Sequence, residues 1–314
     1  MIKSAIFHAG EHVDESDLYK KDETCPFCDS KLRAPVLRLQ ERPTVLLMKC
    51  ENCNAYSSDR MPTEGCLEKY YSKYYQDNNS ADSNITFNEV KRFALHIVKR
   101  LNFDRFMDST NEYSILDYGG GDGAMSLAVG KEILKSHPKL LIRIVIVDYE
   151  TTLVSHNHNC ISMEKIDSIS ELENDQFDLI ISSAVIEHIP YPRAVIEKKF
   201  DLLKKSGVFY ARTPAMTPLF KIFDKLNIPY DFTYPGHPHD LGQRFWENFI
   251  SILKKEKKYN IKILISRPSI VETSFRNHFF RTLVAYLLKF PWKFLNKKYG
   301  LVGGWEVFVQ KNNL

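Results

Sequence analysis

Ser114-Ile-Leu-Asp117-Tyr118-Gly119-Gly120-Gly121-Asp122-Gly123 is the stretch whose reading decides the fold. Ile115 and Leu116 read as the end of a buried strand. Glycines follow at alternate positions 119, 121 and 123, with Gly120 between, and an amphipathic run over residues 124–135 comes next. Strand, glycine turn and helix let backbone N–H groups approach a ligand closely, because no Cβ stands in the way. The spacing differs from the G-x-G-x-x-G of dinucleotide sites. An acid before the turn, in place of a Lys-Ser/Thr after it, suits a cationic ligand better than a polyphosphate.

Outward from this turn, residues 140–147 are nearly all aliphatic, as in a strand buried on both faces of a parallel sheet. That run ends at Asp148, where a carboxylate beside the glycine turn can accept both hydroxyls of a ribose; the plainer reading is a surface acid after a strand. Residues 87–107 carry Val90, Phe93, Ala94, Ile97, Val98 and Leu101 at helical spacing. Further strands are expected at 161–163, 177–181, 208–211, 261–265 and 305–310, with a helix over 193–205 stopped by Gly207. Signals at the carboxyl ends of successive strands predict a doubly wound α/β domain.

At these residues the chain resembles the class I S-adenosylmethionine-dependent methyltransferases. Their first motif has the form of residues 117–123, and their fourth is similar to Phe177-Asp-Leu-Ile followed by Ile186-Glu-His-Ile. The resemblance implies a Rossmann-like sheet and S-adenosylmethionine as cofactor. Gly119, Gly121 and Gly123 would admit the donor's amino-acid part, Asp117 would face its ammonium and Asp148 its ribose. Tyr118, Tyr149, Glu164 and Ser183 complete the implied donor set. In some O-methyltransferase relatives the fourth motif supplies two acids and a histidine to a divalent metal. Here Glu187 and His188 match, but Ala184 replaces the first acid. His188 is therefore read as an orienting group or general base, or else as a cap on the strand–helix loop.

Cys25-Pro-Phe-Cys28 and Cys50-Glu-Asn-Cys53 lie 21 residues apart, the pattern of a four-thiolate zinc ribbon. An iron–sulfur cluster, a redox pair and coincidence are the alternatives. Four protein thiolates leave no open position, so a zinc here is structural. Residues 37–39 and 45–48 would form the hairpin between the knuckles. Cys66 and Cys160 stand alone and read as small buried residues.

The expected organisation is a loose lead-in (1–21), the zinc ribbon (22–60), a tyrosine-rich linker or lid (61–84), and a methyltransferase domain (85–314) with an acceptor-side insertion (213–248). The linker holds Tyr70, Tyr71, Tyr74 and Tyr75 in a helix-like span, read as packing between modules or as a lid, and residues 77–84 are the expected hinge. Ribbon, Pro-Thr step and tyrosine pairs in that order resemble bacterial methyltransferases of cell-surface polysaccharide pathways.

The insertion is rich in proline and aromatic residues and contains Tyr234-Pro-Gly-His237-Pro-His239-Asp240-Leu-Gly242. Aromatic faces with a few polar groups suit a sugar ring. His237, His239 and Asp240 read as a base with its orienting carboxylate, as half of a metal site, or as a rigid hydrogen-bonded loop. Residues 279–298 form a basic amphipathic stretch, which packs on the domain or lies on an anionic membrane surface.

With 44% hydrophobic and 26% charged residues over 314, the chain is globular, and a net charge of +4 neither demands nor excludes a polyanionic partner; the apolar second strand of the ribbon makes nucleic acid the less expected one. Residues 1–17 lack the apolar core of a secretory signal, so the cytosol is expected, with membrane contact peripheral. Oligomeric state has no signature here. The function expected is O-methylation of a sugar, nucleotide-sugar or glycan intermediate of cell-surface polysaccharide. The rivals are an RNA base methyltransferase and a catalytically inactive zinc-ribbon binding protein.

Overall fold

The computed structural model describes residues 1–4, 8–77, 89–101, 111–148, 152–257, 259–295 and 299–312. The strands in chain order are β1 (Ile2–Lys3), β2 (Arg33–Gln40), β3 (Val45–Cys50), β4 (Tyr56–Ser58), β5 (Glu112–Tyr118), β6 (Leu141–Val147), β7 (Ile161–Ile166), β8 (Phe177–Ser183), β9 (Leu203–Ala215), β10 (Tyr230–Asp231), β11 (His239–Asp240), β12 (Ile261–Pro268) and β13 (Gly303–Lys311). The helices are α1 (Glu64–Asp77), α2 (Val90–Leu101), α3 (Ala124–Ser136), α4 (Arg193–Leu202), α5 (Thr217–Lys225), α6 (Gln243–Lys257), α7 (Phe279–Lys289) and α8 (Trp292–Leu295).

The large sheet runs β12-β13-β9-β8-β5-β6-β7. Strands β5 to β9 pair in parallel, while β13 is antiparallel to both its neighbours. The chain leaves β5 for β6 and β7 on one side, then returns to lay β8 and β9 on the other. The reversal beside β5 opens the crevice at the strand carboxyl ends where such sheets bind ligands. Strand β6 is aliphatic because both of its faces are covered, with Ile142, Ile144, Val145 and Ile146 all buried. Phe93, Ala94 and Ile97 of α2 join Ile133 and Leu134 of α3 on one face, and Ile196 and Phe200 of α4 join Trp246 and Leu253 of α6 on the other.

The described part of the helix expected over 87–107 is α2, Val90–Leu101; residues 78–88 and 102–110 lie outside the described ones. Farther along the chain, local expectations are corrected. Helix α4 ends at Leu202, before Lys205, because Leu203 already pairs with Phe177. Gly207 therefore ends no helix: it lies in β9 where the register shifts, and a Cβ there would meet the Phe177 carbonyl oxygen at 2.8 Å. Strand β9 also runs on to Ala215, since β13 pairs with it as far as Gly303, so the first residues of the expected insertion are sheet.

The smaller sheet, β11-β4-β3-β2, joins the cysteine module to the insertion, with His239 opposite Ser57 and Asp240 opposite Tyr56. Phe27, between the first two cysteines, meets Phe245 and Phe249 of α6 at ring-centroid distances of 4.7 and 5.9 Å. The lead-in is held as well, through the parallel pair β1 and β10. The expected hinge falls on residues of which only Asp77 is described. Among the described residues, no helix is long and apolar enough to cross a membrane.

Candidate active site

Gly119, Gly121 and Gly123 all have left-handed backbone, with φ of +73°, +58° and +81°, which side chains with a Cβ rarely adopt. A Cβ at Gly119 would also stand 2.4 Å from Val185, and one at Gly123 would stand 2.6 Å from both Ile146 and Met163. At Gly121 nothing lies within 4 Å, so this glycine faces open space and is required by φ alone. The turn is clamped from β6: Gly119 N–H donates to the Val147 carbonyl at 2.7 Å, and Gly121 N–H donates to Asp148 Oδ2 at 2.8 Å. Helix α3 then starts at Ala124, its positive N-terminal end beside the turn.

Asp117 is 1% exposed, and its Oδ2 has no protein hydrogen-bond partner. Burial, reinforced by the neighbouring Asp148 and Asp122, pushes its carboxyl up to about 7. Gly120 makes room for this group, since a Cβ there would sit 2.5 Å from Asp117 Oδ2. Sequence reasoning passed over Gly120 because its φ is ordinary; only the folded-back carboxylate reveals the need. A buried carboxyl with one oxygen left without a partner, beside a turn open at Gly121, fits the ammonium and amino-acid part of S-adenosylmethionine.

The other expected donor residues divide. The Tyr118 ring is covered by the buried Lys199 ammonium, 3.8 Å from its centroid, and Lys199 donates to Ser182. Ser183 Oγ accepts from Arg212 Nε at 3.0 Å. Glu164, on β7, pairs its carboxylate with Arg143 of β6, at 2.6 Å from Nη2, on a half-exposed flank. Tyr149 lies outside the described residues.

The four cysteines converge. Cys25 and Cys53 sulfurs are 3.5 Å apart, and Cys28 and Cys50 sulfurs 3.6 Å, close to the edge of about 3.8 Å that a tetrahedron of 2.3 Å zinc–sulfur bonds requires. Each knuckle closes on a left-handed residue after its second cysteine, Asp29 (φ 56°) and Asn54 (φ 60°), residue types that tolerate it. The set fits one zinc ion with no position left over.

The histidines part company. The His239 ring is fully buried against Phe27, 4.9 Å between centroids, and its Nε2 lies 2.8 Å from the Ile189 carbonyl. Asp240 orients neither histidine: its two oxygens accept the backbone N–H groups of Met216 and Thr217 at 2.7 and 2.8 Å, capping α5. The expected pairing of base and carboxylate in this loop is thereby corrected. His237 is not part of β11: it closes the preceding turn, its N–H donating to the Thr233 carbonyl at 3.0 Å, so the two rings diverge, His239 toward Phe27 and His237 toward His188.

His237 meets His188 at 4.5 Å between ring centroids, and His8 joins both, at 5.1 Å from His188 and 5.3 Å from His237. His8 was missed. It sits in a polar lead-in with no periodicity or motif, and only the chain's return over the insertion brings it here. Burial holds the imidazoles of all three well below their ordinary pKa, with His188 at about 4 and His8 at about 3. They are neutral at pH 7.

These rings line a cavity of about 600 Å³ that also touches Ala184, Glu187, Arg212 and Glu272. Ala184, which follows β8 directly, lines the cavity, and its neighbour Val185 packs on Gly119. Arg212 pairs with Glu272, while the buried Glu187 keeps Oε2 without a partner and its carboxyl is pushed up to about 8 by burial.

A sheet wound in this order, with its seventh strand reversed and a glycine turn after its first, has the class I methyltransferase fold. A methyltransferase domain family model matches residues 87–248, and the chain belongs to that family. Solved structures similar to it include the CurJ carbon methyltransferase (13% identity, TM-score 0.42, covering 78% of this chain and 58% of that one). Others are loganic acid methyltransferase with SAH (7%, 0.45, 76% and 96%) and the plantazolicin methyltransferase BpumL in complex with SAH (15%, 0.44, 80% and 92%). No curated protein matches the sequence.

Proposed function

We propose that the chain is an S-adenosylmethionine-dependent methyltransferase that methylates a hydroxyl of a sugar, nucleotide-sugar or glycan intermediate of cell-surface polysaccharide. The observation that carries the donor assignment is the buried Asp117 carboxyl, unpartnered at Oδ2, beside a glycine turn clamped by Asp148. Asp117 would hold the donor's ammonium and Asp148 its ribose. When bound, the donor supplies an electrophilic methyl group on sulfur. The chain's own residues must align the acceptor and take one proton from it.

The adjoining cavity supports a polyhydroxylated acceptor. Glu187, Arg212 and Glu272 present donors and acceptors on one side, and the neutral imidazoles of His188 and His237 are bases within the same wall. Helix α7 contributes Arg281, Val284 and Leu288 to the cavity, while Phe279, Phe280, Leu287 and, beyond it, Phe294 are exposed. An apolar helix face adjoining the acceptor pocket, with Arg281 and Lys293 near it, supports a lipid-linked acceptor met at a membrane surface. The cysteine module would hold a structural zinc.

The test has two stages. Calorimetry with S-adenosylhomocysteine should show binding, and isotope-labelled donor offered to nucleotide-sugars and lipid-linked sugars should label one of them. No nucleoside binding would leave the chain a zinc-ribbon binding protein. Label entering RNA and no sugar would make it an RNA methyltransferase.

A further inference from the structure

The sequence singled out a tyrosine pair, Tyr70-Tyr71, that neither the donor site nor the ribbon uses. Both hydroxyls reach the histidine cluster. Tyr70 Oη lies 3.3 Å from His8 Nδ1 and donates to the Ala9 carbonyl at 2.8 Å. Tyr71 Oη lies 2.9 Å from His188 Nδ1, which also meets the Gly236 carbonyl at 2.6 Å. His237 Nδ1 lies 2.8 Å from Thr233 Oγ1, which also lies 2.6 Å from the Phe232 carbonyl.

These contacts set two of the tautomers. A carbonyl only accepts, so the Gly236 contact puts the His188 proton on Nδ1. Tyr70 spends its hydroxyl proton on the Ala9 carbonyl, so its oxygen accepts from the His8 imidazole. His8 and His188 thus carry Nδ1–H and keep the lone pair on Nε2, while His237 Nδ1 is anchored on a hydroxyl pair, Thr233 Oγ1 and Ser4 Oγ, 2.7 Å apart. A ring N–H anchored on an oxygen is the outer-shell arrangement of metal-ligating histidines.

The ring planes are inclined at 52°, 54° and 58° to one another. That is a propeller in place of a stack, as expected of three rings directed at one point. One ring nitrogen of each lies within 4.8 Å of one nitrogen of the other two. Imidazole nitrogens stand about 2.0–2.1 Å from a bound zinc ion, so closing on one means a movement of up to about an ångström.

We propose that His8, His188 and His237 bind one divalent transition-metal ion on the wall of the acceptor cavity, with the remaining coordination positions left to acceptor oxygens. The site is separate from the four cysteines, and it uses no acid at position 184. Imidazoles select zinc, cobalt, nickel or iron(II) over magnesium or calcium. Three ligands leave an open position, as in catalytic sites and unlike the cysteine quartet. An ion held there would orient an acceptor hydroxyl and lower its pKa, so that the hydroxyl's proton passes to solvent water and not to the imidazoles, which the ion would occupy. That role rests on the cavity being the acceptor site; the binding of the ion does not.

The probe is cobalt(II), titrated into full-length protein and followed by elemental analysis after dialysis and by visible absorption. Wild type should hold two metal ions per chain, one of them giving d–d bands without thiolate charge transfer. His8→Ala, in the lead-in and away from the core, should reduce the count to one, and His237→Ala should do the same. Tyr70→Phe removes only the hydroxyl that anchors His8 and should weaken cobalt binding about tenfold. One ion per chain in wild type, or a second ion equally tight in His8→Ala and Tyr70→Phe, overturns the site. S-adenosylhomocysteine binding is measured alongside: its absence with cobalt bound sinks the methyltransferase reading alone, and its presence without a second ion sinks the metal site alone.

Discussion

The carboxylate of Asp148, at the end of the second parallel strand, accepts the backbone N–H of Gly121 at 2.8 Å. One acid thus shapes the glycine turn, and in the proposed reading it would also hold the donor's ribose. Asp148→Ala should weaken S-adenosylhomocysteine binding by about a hundredfold, taking about 1.5–3 kcal/mol for a hydrogen bond to a charged group. The circular dichroism spectrum should be unchanged. Affinity within threefold of wild type would refute the assignment.

Donor binding should depend on pH through Asp117. Its carboxyl titrates at about 7 in the free protein and is therefore neutral below that, whereas it must be ionised to face an ammonium. Affinity for S-adenosylhomocysteine should accordingly rise from pH 5.5 to 7, by up to about tenfold per pH unit, and then level off. Asp117→Asn should lower affinity and flatten the profile. A flat wild-type profile over that range contradicts the reading.

Asp240 caps a helix and should behave as a cap. Asp240→Ala should cost about 1–2 kcal/mol by chemical denaturation, Asp240→Asn less, and methyl transfer should stay within a few-fold in both. A hundredfold loss of turnover at unchanged stability would return Asp240 to the chemistry.

The cysteine module should be coupled to the insertion and the large sheet, since β4 pairs with β11 and Phe27 packs on α6. Cys50→Ser should release one zinc per chain and lower Tm. It should also increase hydrogen exchange in residues 233–242, where His237 sits. Metal retained at full occupancy would count against the four-thiolate site, and exchange confined to residues 22–60 would count against the coupling.

The sequence by itself determined the fold class, because what defines it is local. Left-handed glycines after a strand, an aliphatic run covered on both faces and cysteines paired at knuckle spacing are each legible within about ten residues. The same locality made the convergence of the four cysteines nameable. Tertiary structure decided the rest: that Gly120 yields to a carboxylate, that Asp240 caps α5, and that His239 turns to the ribbon while His237 turns to His188. It alone brings in His8, more than two hundred residues from His237 in the chain. A contact between distant segments costs chain entropy that is repaid only by the whole packed molecule, so no short pattern of residues carries its trace.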